Sequence, residues 1–468
     1  MANITKNQME IILKGNRVLK RGNKQGKDAI EIIYEAINAV NPYECVRDCL
    51  NLDGDILTIA NVSLELKLIN RIFLIGFGKA ACPMASAVLD ILGARINKAM
   101  VITKSSVSLK GSYMHKKLRV LTGDHPVPSL NSIEATQKLL DGLPPLTPND
   151  LVLVVISGGG SALFTLPIKG ITLTDYQTMI ELLLKSGAEI QEINTLRKQL
   201  DEVKGGRLAI RLQPANVHSL IFSDVVGDPL DIIASGPTVP NLSTIEDALA
   251  VIDRYELSRK ISASIMDYLI NEKNRGKVNS ILQRQFPIRK VTNHLVGSNI
   301  KAALAAKDHA VYLGYNALVV TSFMTGLTKD VAKLLLGIIQ TELNNENPVK
   351  WPACLIFGGE TTVEVTGTGK GGRNQDLILR MVRELRELDG VLVISFATDG
   401  EDGPTDAAGA AADAHVFHEA AEAFGLNIEA YIDNNNSYEY LDKCNALIKT
   451  GLTETNANDL VVILINPN

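Results

Sequence analysis

The segment GFGK at residues 76–79 places a lysine at the beginning of a predicted helix. Backbone N–H groups at a helix N-terminus carry the positive end of the helix dipole, so a lysine is unfavourable there unless an anion lies opposite. We therefore predict a phosphate or carboxylate site in which Gly76 and Gly78 allow close approach and Lys79 provides the charge. The alternative is a surface lysine without a ligand.

Two nucleotide-binding patterns compete for the same segment. The dinucleotide pattern G-x-G-x-x-[G/A] is satisfied by Gly76, Gly78 and Ala81, but it also requires an acidic residue at the end of the next strand. That predicted strand ends in Lys104. A Walker A loop requires four residues between its glycines and a Ser or Thr after its lysine, and the segment has neither.

A second glycine-rich turn, SGGGS, follows the most apolar predicted strand, Leu151–Ile156. Three consecutive glycines let a ligand approach the backbone closely and let N–H groups form a concave nest that suits phosphate. The residues predicted to bind phosphate or substrate are Ser157, Gly158, Gly159, Gly160 and Ser161. The alternative is a tight turn between strand and helix. An oxyanion hole would look similar, but the chain lacks the nucleophile motif G-x-S-x-G.

Two clusters in the C-terminal half combine charged side chains with glycine. Arg373 follows a glycine-rich segment and precedes a helical pattern, so its planar guanidinium is predicted to bind carboxylate or phosphate. Asp399 and Asp402 follow the predicted strand Val391–Phe396, and together with Glu360 they are predicted to bind Mg²⁺, which prefers oxygen ligands. The alternatives are a surface arginine and acidic residues that only form turns.

Acidic turns also follow β-like runs in the N-terminal half. The segment TGDHP contains Asp124 and His125, which are predicted to bind substrate or phosphate. The segment SDVVGDP contains Asp224 and Asp228, which are candidates for the general base that accepts a proton from a substrate hydroxyl. His125 is a third candidate for that role.

The order of elements indicates how these turns are supported. Short aliphatic runs alternate with helical patterns, which predicts a doubly wound α/β fold with a parallel sheet covered by helices. Ligands bind at the carboxyl ends of the strands in such sheets. A chain of 468 residues exceeds the size of a single core, so we predict domains at 1–285 and 286–468, separated by a polar and basic stretch. Where the first 40 or so residues pack is left open.

Composition excludes several classes of partner. The net charge is −5 and no basic stripe is present, so nucleic-acid binding is not expected. No signal peptide and no apolar segment of about 20 residues occurs, so membrane association is not expected and the predicted location is the cytoplasm. The five cysteines lack metal-ligand spacing, which indicates a reducing compartment.

Taken together, the motifs resemble the class II glycerate kinase family, also called the glycerate 2-kinase family. The matching segments span nearly the whole chain. In order they are GFGKAACPMA at 76–85, TGDHPVPS at 122–129, ISGGGSALFTLP at 156–167, INTLRKQLDEVKGGRLA at 193–209, FSDVVGDPLDIIASGPT at 222–238, GGETTVEV at 358–365, GKGGRNQ at 369–375 and ATDGEDGPTDAAG at 397–409.

This resemblance implies a larger Rossmann-like N-terminal domain, a smaller C-terminal α/β domain of the leucine-rich multi-organism fragment type, and an active site in the cleft between them. It also implies in-line transfer of a phosphoryl group from ATP to D-glycerate, with Mg²⁺ or another divalent cation, to form 2-phosphoglycerate. The family's principal active-site lysine and arginine fall on Lys79 and Arg373. Arg197, in the segment at 193–209, is predicted to bind substrate or phosphate.

Alternatives to this function stay open. Members of the family have also been labelled NAD(P)H-dependent hydroxypyruvate reductases, and other kinases of glycerate form 3-phosphoglycerate. A metabolite sensor that binds without turnover is a third hypothesis. The predicted partners are glycerate and ATP, and whether the chain forms a homodimer is left open.

Overall fold

The computed structural model describes residues 15–20, 24–104, 115–275 and 286–467. As far as described, the chain forms two compact units, one of residues 42–296 and one of residues 1–41 with 297–468. The strands are β1 (Leu50–Asp53), β2 (Ile56–Ile59), β3 (Val62–Glu65), β4 (Arg71–Phe77), β5 (Ile96–Lys104), β6 (Leu118–Gly123), β7 (Asp150–Ile156), β8 (Asn216–Phe222), β9 (Val291–Gly297), β10 (Asn316–Met324), β11 (Ala353–Gly359), β12 (Val391–Ala397), β13 (Gly409–Ala412), β14 (Leu447–Ile448) and β15 (Asp459–Ile465).

The helices alternate with these strands along most of the chain. They are α1 (Arg17–Lys20), α2 (Lys24–Ala39), α3 (Pro42–Cys49), α4 (Ala81–Leu92), α5 (Leu130–Asp141), α6 (Gly160–Leu163), α7 (Leu173–Lys185), α8 (Ile190–Leu200), α9 (Arg207–Arg211), α10 (Ile245–Arg254), α11 (Ala263–Arg275), α12 (Asn299–Tyr312), α13 (Thr328–Asn345), α14 (Arg373–Leu385), α15 (His415–Phe424), α16 (Ile428–Asp433) and α17 (Ser437–Lys443). In the described ranges, every helix is too short or too polar to cross a lipid bilayer.

The sheet of the unit at residues 42–296 has the order β6-β5-β4-β7-β8-β9. Its pairs from β6 through β8 are parallel, with Ile75 of β4 opposite Met100 of β5 and Val154 of β7. If the strands are numbered along the chain with β4 as the first, their order in the sheet is 3-2-1-4-5-6, as in doubly wound folds. The strand order reverses between β4 and β7, which is the switch point of such folds. The predicted α/β fold class is confirmed. The turns after β4 and β7 are therefore neighbours at the switch point.

Burial explains why β7 was easy to recognise. Every residue of Asp150–Ile156 is buried, as expected for a strand covered on both faces. The core around it includes Phe73, Ile75 and Ile156, and the ring of Phe77 stacks on that of Phe164 with centroids 4.0 Å apart. This core anchors the ends of the strands that carry the predicted site residues.

The second unit also contains a six-stranded sheet, in the order β10-β11-β15-β12-β13-β14. Its β10–β11 pair is parallel, whereas its other strand pairs in the described part of the chain are antiparallel, and β15 lies between β11 and β12. The sequence predicts a parallel sheet for the aliphatic runs of the chain, and for the run that forms β15 that prediction is wrong. Burial on both faces makes a strand apolar whichever way it runs, so the sequence pattern does not report its direction.

The two units differ from the division predicted at 285 and 286. Strand β9 belongs with β8, because the backbone N–H of Val217 donates to the carbonyl of Lys290 at 2.7 Å and His218 stacks on His294. Residues 24–41 belong with the C-terminal unit, where the hydroxyl of Tyr315 donates to Asp28 at 2.9 Å. Such pairings join residues that lie far apart in the sequence, so local patterns do not reveal them.

Candidate active site

The turns after β4 and β7 are hydrogen-bonded to each other. The N–H of Lys79 donates to the carbonyl of Gly158 at 2.9 Å, and the N–H of Ala80 donates to Oγ of Ser157 at 3.0 Å. The sequence predicted that N–H groups in this turn would be available to an anion, and for these two residues the prediction is wrong. They join the two turns instead, and the exposed side chain of Lys79 is left to provide the charge.

Three glycines of the predicted binding set have packing roles. Gly76 lies inside β4, where a Cβ atom would overlap the side chain of Val155, and a Cβ atom on Gly160 would come within 2.6 Å of the Cβ of Ala234. Gly78 has a φ of 126° and lies against Ser157, a position that only glycine adopts easily. We therefore revise the role of these three glycines from ligand contact to close approach of the backbone.

The other two glycines bring three polar side chains together. A Cβ atom on Gly158 would overlap the carboxylate of Asp224. A Cβ atom on Gly159 would lie 3.0 Å from Cδ2 of His125 and 3.3 Å from Cγ of Lys79. Lys79, His125 and Asp224 follow β4, β6 and β8, so three carboxyl ends of the parallel sheet contribute to one site around this turn.

Burial and the neighbouring positive charges keep His125 neutral. Burial, followed by the positive charges of Lys79 and Lys104, lowers the pKa of His125 to about 4. At neutral pH the imidazole therefore exchanges hydrogen bonds without adding charge. Burial raises the pKa of Asp228, whose side chain bonds to Ser223. Asp224, rather than Asp228, is the carboxylate that lies against Gly158.

Asp124 lies in the loop between β6 and α5, directly after β6. Its Oδ2 atom accepts hydrogen bonds from Oγ of Ser129 at 2.5 Å and from Nδ2 of Asn131 at 3.1 Å. Its backbone N–H donates to Oγ of Ser132 at 3.0 Å. These bonds fix the loop between β6 and α5 and so place the neighbouring His125. The structure thus gives Asp124 a supporting position, whereas the sequence predicted a direct contact with the ligand.

Ser161 and Arg197 are connected through two residues that the sequence analysis did not single out. The hydroxyl oxygens of Ser161 and Ser235 are 2.9 Å apart, and Oδ1 of Asn194 accepts from Ser235 at 2.9 Å and from Nη1 of Arg197 at 3.3 Å. Burial lowers the pKa of Arg197 from its usual value, against the effect of Tyr176 and Asp201. Ser235 and Asn194 both lie in segments that carried the family resemblance, and that was the one signal for them in the sequence.

In the second unit, two acidic residues hold the side chain of Arg373. Its Nε and Nη2 atoms donate to the two carboxylate oxygens of Asp459 at 2.5 and 2.9 Å, and Nη1 lies 2.8 Å from Oε1 of Glu360. Burial disfavours the charged guanidinium, but the hydrogen bond and charge of Asp459 outweigh burial and raise the pKa of Arg373. Asp459 begins β15, and sequence reasoning missed it because it stands outside every motif.

The glycine-rich segment before Arg373 is held by three consecutive asparagines. The N–H of Gly367 donates to Oδ1 of Asn435 at 2.8 Å, the N–H of Thr368 to Oδ1 of Asn434 at 3.0 Å, and the N–H of Lys370 to Oδ1 of Asn436 at 3.1 Å. These bonds place the segment so close to the asparagines that side chains on Gly367 and Gly369 would overlap them. The glycines permit this contact, and the contact fixes the entry to α14.

Asp402 is a cap for α14. It is 1% exposed, and its two carboxylate oxygens accept four hydrogen bonds from the backbone and side-chain nitrogens of Asn374 and Gln375, at 2.9 to 3.2 Å. These residues form the first turn of the helix, whose N–H groups have no partner within the helix. We therefore revise the predicted metal role of Asp402 to that of a helix cap.

The three predicted magnesium ligands do not gather in one cluster. Glu360 is engaged by Arg373 and by Nδ2 of Asn458 at 2.8 Å, and Oδ1 of Asp399 accepts from the N–H of Glu401 at 3.1 Å. Within the part of the chain that the structure describes, no group of three His, Cys, Asp or Glu residues could hold a metal ion. The three carboxylates therefore do not fit Mg²⁺ as one set.

The fold and the site define an α/β protein whose polar groups gather at the carboxyl ends of its strands. A domain family described as "Domain of unknown function (DUF4147)" matches residues 28–270, and the MOFRL family matches residues 353–459. D-glycerate 2-kinase of Thermotoga maritima is 40% identical over 94% of this chain and 98% of its own length. Glycerate 2-kinase of Pyrococcus horikoshii is 38% identical over 93% of this chain and 96% of its own.

A solved structure agrees with these matches. The crystal structure of glycerate kinase from Thermotoga maritima superposes with a TM-score of 0.81 at 40% identity, covering 94% of this chain and 99% of that one. The chain belongs to the glycerate kinase family. It is therefore a kinase by family, and the resemblance predicted from its motifs is confirmed at that level.

The cap at Asp402 is testable through stability. Asp402→Ala removes four hydrogen bonds and leaves donors of α14 unsatisfied, so we expect the free energy of unfolding to fall by roughly 2–4 kcal/mol. Thermal unfolding with and without Mg²⁺ measures it, and the loss should be the same in both. Asp399→Ala, outside the helix cap, should cost about 1 kcal/mol or less. A loss seen only with Mg²⁺ would restore the metal assignment.

The neutral state of His125 is testable by NMR. The imidazole should titrate with a midpoint near pH 4, and Lys79→Met should raise that midpoint because one of the charges that disfavour protonation is gone. Lys185→Met, which removes an exposed lysine at the end of α7, should leave it unchanged. The pKa of a histidine in the unfolded chain is about 6.5. The contribution of His125 to stability is therefore complete above pH 6.5 and is lost as the pH falls towards 4. A wild-type midpoint near 6.5 would contradict this account.

Proposed function

We propose that this protein transfers a phosphoryl group from ATP to D-glycerate and forms 2-phosphoglycerate. The observation that carries the proposal is the meeting of Lys79, His125 and Asp224 around Gly158 and Gly159, in a chain of the glycerate kinase family. A cation, a neutral imidazole and a carboxylate at one set of strand ends suit an anionic substrate whose hydroxyl must lose a proton.

The chemistry needs a base and positive charge more than covalent help from the protein. In the proposed reaction the 2-hydroxyl oxygen attacks the γ-phosphorus, the bond to the leaving ADP oxygen breaks, and Asp224 accepts the hydroxyl proton. Asp228 and His125 are the other candidates; Asp224 is preferred because its carboxylate lies against Gly158, in the turn that Lys79 and His125 also border.

Two cations are proposed to bind the anionic groups. Lys79 is exposed beyond its turn, and Arg373 is held by Asp459 and Glu360, which orient a guanidinium that has five N–H donors. Which of the two binds carboxylate and which binds phosphate is left to experiment. ATP and a divalent cation are proposed from the resemblance alone, since Glu360 and Asp402 are engaged by Arg373 and by α14.

The reductase alternative has one observation against it. Strand β5 neighbours β4 and ends at Lys104, where a dinucleotide-binding fold places the acidic residue that binds the ribose. Residues 105–114 lie outside the described part of the chain.

Incubation with D-glycerate and MgATP, beside a second assay with NADPH and hydroxypyruvate, separates kinase from reductase. Phosphorus NMR of the product distinguishes 2-phosphoglycerate from 3-phosphoglycerate, and NADPH oxidation without ATP turnover would overturn the proposal.

Three further expectations are also proposals. The C-terminal domain is proposed to be of the leucine-rich multi-organism fragment type, in the region that the MOFRL family matches. The location is proposed to be the cytoplasm. A homodimer is the oligomeric state to test, by light scattering of the purified chain.

The two cations generate a kinetic prediction. Lys79→Ala and Arg373→Ala should each lower kcat/KM for glycerate by at least about 100-fold, because an oriented charge at a developing anion is worth roughly 3 kcal/mol. Lys185→Ala and Arg383→Ala remove exposed cations that pair with Glu181 and Glu429, and should change little.

Two additional variants test how the cations act. Lys79→Arg should fail to restore activity, because a broad guanidinium replaces a compact ammonium in a tight turn. The double variant should lose much less than the product of the two single losses if both cations act on one bound assembly. If Lys79→Ala turns over glycerate like the wild type, Lys79 has no catalytic role and the turn serves only to begin α4.

A further inference from the structure

A row of four polar side chains leads from Arg197 to the turn after β7. Nη1 of Arg197 donates to Oδ1 of Asn194 at 3.3 Å, and Oγ of Ser235 donates to the same oxygen at 2.9 Å. Oγ of Ser235 is in turn 2.9 Å from Oγ of Ser161. Asn194 and Ser235 are at most 1% exposed, whereas Ser161 is partly exposed in the turn that meets Lys79 and His125.

The direction of these hydrogen bonds is set at Asn194. A guanidinium can only donate, so the atom of Asn194 that faces Arg197 must be its oxygen. The amide nitrogen then faces the carbonyl of Ile232, to which it donates at 3.4 Å. Turning the amide over would set two donors against each other at Arg197 and two acceptors at Ile232, so both ends of the amide require the same orientation.

This orientation determines what Ser161 offers a ligand. A serine hydroxyl has one hydrogen and two lone pairs, and the hydrogen of Ser235 is used by the oxygen of Asn194. Ser161 must therefore donate its own hydrogen to Ser235. What remains on Ser161 are lone pairs, which accept a hydrogen bond. Phosphate and carboxylate oxygens at neutral pH are acceptors too, so an alcohol hydroxyl is the group that this atom suits.

The backbone around Ser235 shows that its position is built rather than incidental. Ala234 and Ser235 have φ values of 51° and 62°, in the left-handed region that residues with side chains rarely adopt. Such strain persists only where the surroundings hold it. Here the carbonyl of Ser235 accepts from the N–H of Gly205 at 3.0 Å, and that of Gly236 accepts from Gly206 at 2.8 Å.

We propose that Ser161 accepts a hydrogen bond from the 3-hydroxyl of glycerate, the hydroxyl that keeps its hydrogen when Asp224 takes the proton of the 2-hydroxyl, and that Ser235, Asn194 and Arg197 are positioning residues that fix this polarity. The inference rests on the proposed function and adds a source of substrate selection. It assigns Ser161 to the hydroxyl of the substrate, whereas the sequence alone left phosphate and substrate as equal candidates for the turn.

The test uses two analogues of glycerate as competitive inhibitors of the full chain. Lactate lacks the 3-hydroxyl and 3-hydroxypropanoate lacks the 2-hydroxyl. The ratio measured is the inhibition constant of lactate divided by that of 3-hydroxypropanoate, and it reports recognition of the 3-hydroxyl over the 2-hydroxyl. In the wild type we expect a ratio of about 10 or more, the size of one hydrogen bond lost from a partly enclosed site. In Ser161→Ala the ratio should fall to about 3 or less, with KM for ATP changed less than about twofold.

Other variants separate polarity from structure. Ser235→Ala frees the hydrogen of Ser161 and should also reduce the ratio. Asn194→Asp keeps the acceptor for Ser235 and should retain the ratio, with a loss of stability because the hydrogen bond to Ile232 is gone. Ser186→Ala removes a hydroxyl that bonds to the carbonyl of Leu182 at the end of α7, and serves as the matched control. If Ser235→Ala does not fold, as judged by circular dichroism, Ser161→Ala still decides the question.

The outcomes distinguish this inference from the proposed function. A wild type that turns over glycerate, with the same inhibitor ratio in Ser161→Ala, overturns the role of Ser161 and leaves the kinase in place. A rise in KM for ATP with an unchanged ratio overturns it as well, because Ser161 would then bind phosphate. A wild type without glycerate turnover overturns the proposed function itself.

Discussion

The hydrogen bonds between the turns after β4 and β7 are the constraint on which the candidate site depends. Lys79 and Gly158 are 79 positions apart, and they meet because β4 and β7 pair side by side where the strand order reverses. Once the N–H groups of Lys79 and Ala80 are bonded to the second turn, the path of both loops is set. His125 and Asp224 then reach the same turn from β6 and β8.

Glycine serves this arrangement in two ways. At Gly76, Gly78 and Gly160 the missing side chain lets strands and turns approach each other, while at Gly158 and Gly159 it makes room for Asp224, His125 and Lys79. In the second unit, glycines also allow close approach of the backbone. There a glycine-rich segment precedes Arg373 and is held by Asn434, Asn435 and Asn436. Glycine runs in both units thus serve close packing as well as ligand approach.

Acidic residues near Arg373 illustrate how one side-chain type takes different roles. Asp402 satisfies the first turn of α14, Asp459 and Glu360 hold the guanidinium, and Asp399 accepts from a neighbouring N–H. All four are carboxylates in or beside loops, so composition does not separate them. Burial and hydrogen-bond partners do, because a carboxylate that already accepts four bonds has little capacity left for a metal ion.

The sequence by itself determined the α/β fold class, the strands β4 and β7, and the turns that contain Lys79, residues 157–161 and Arg373, because apolar runs and glycine patterns are local signals. The tertiary structure decided the antiparallel direction of β15, the placement of residues 24–41 with the C-terminal unit, the cap at Asp402 and the partners Asp459, Asn194 and Ser235. Each of these depends on a contact between residues distant in sequence, or on the direction of a chain whose burial pattern is the same either way. Only the folded chain specifies such contacts.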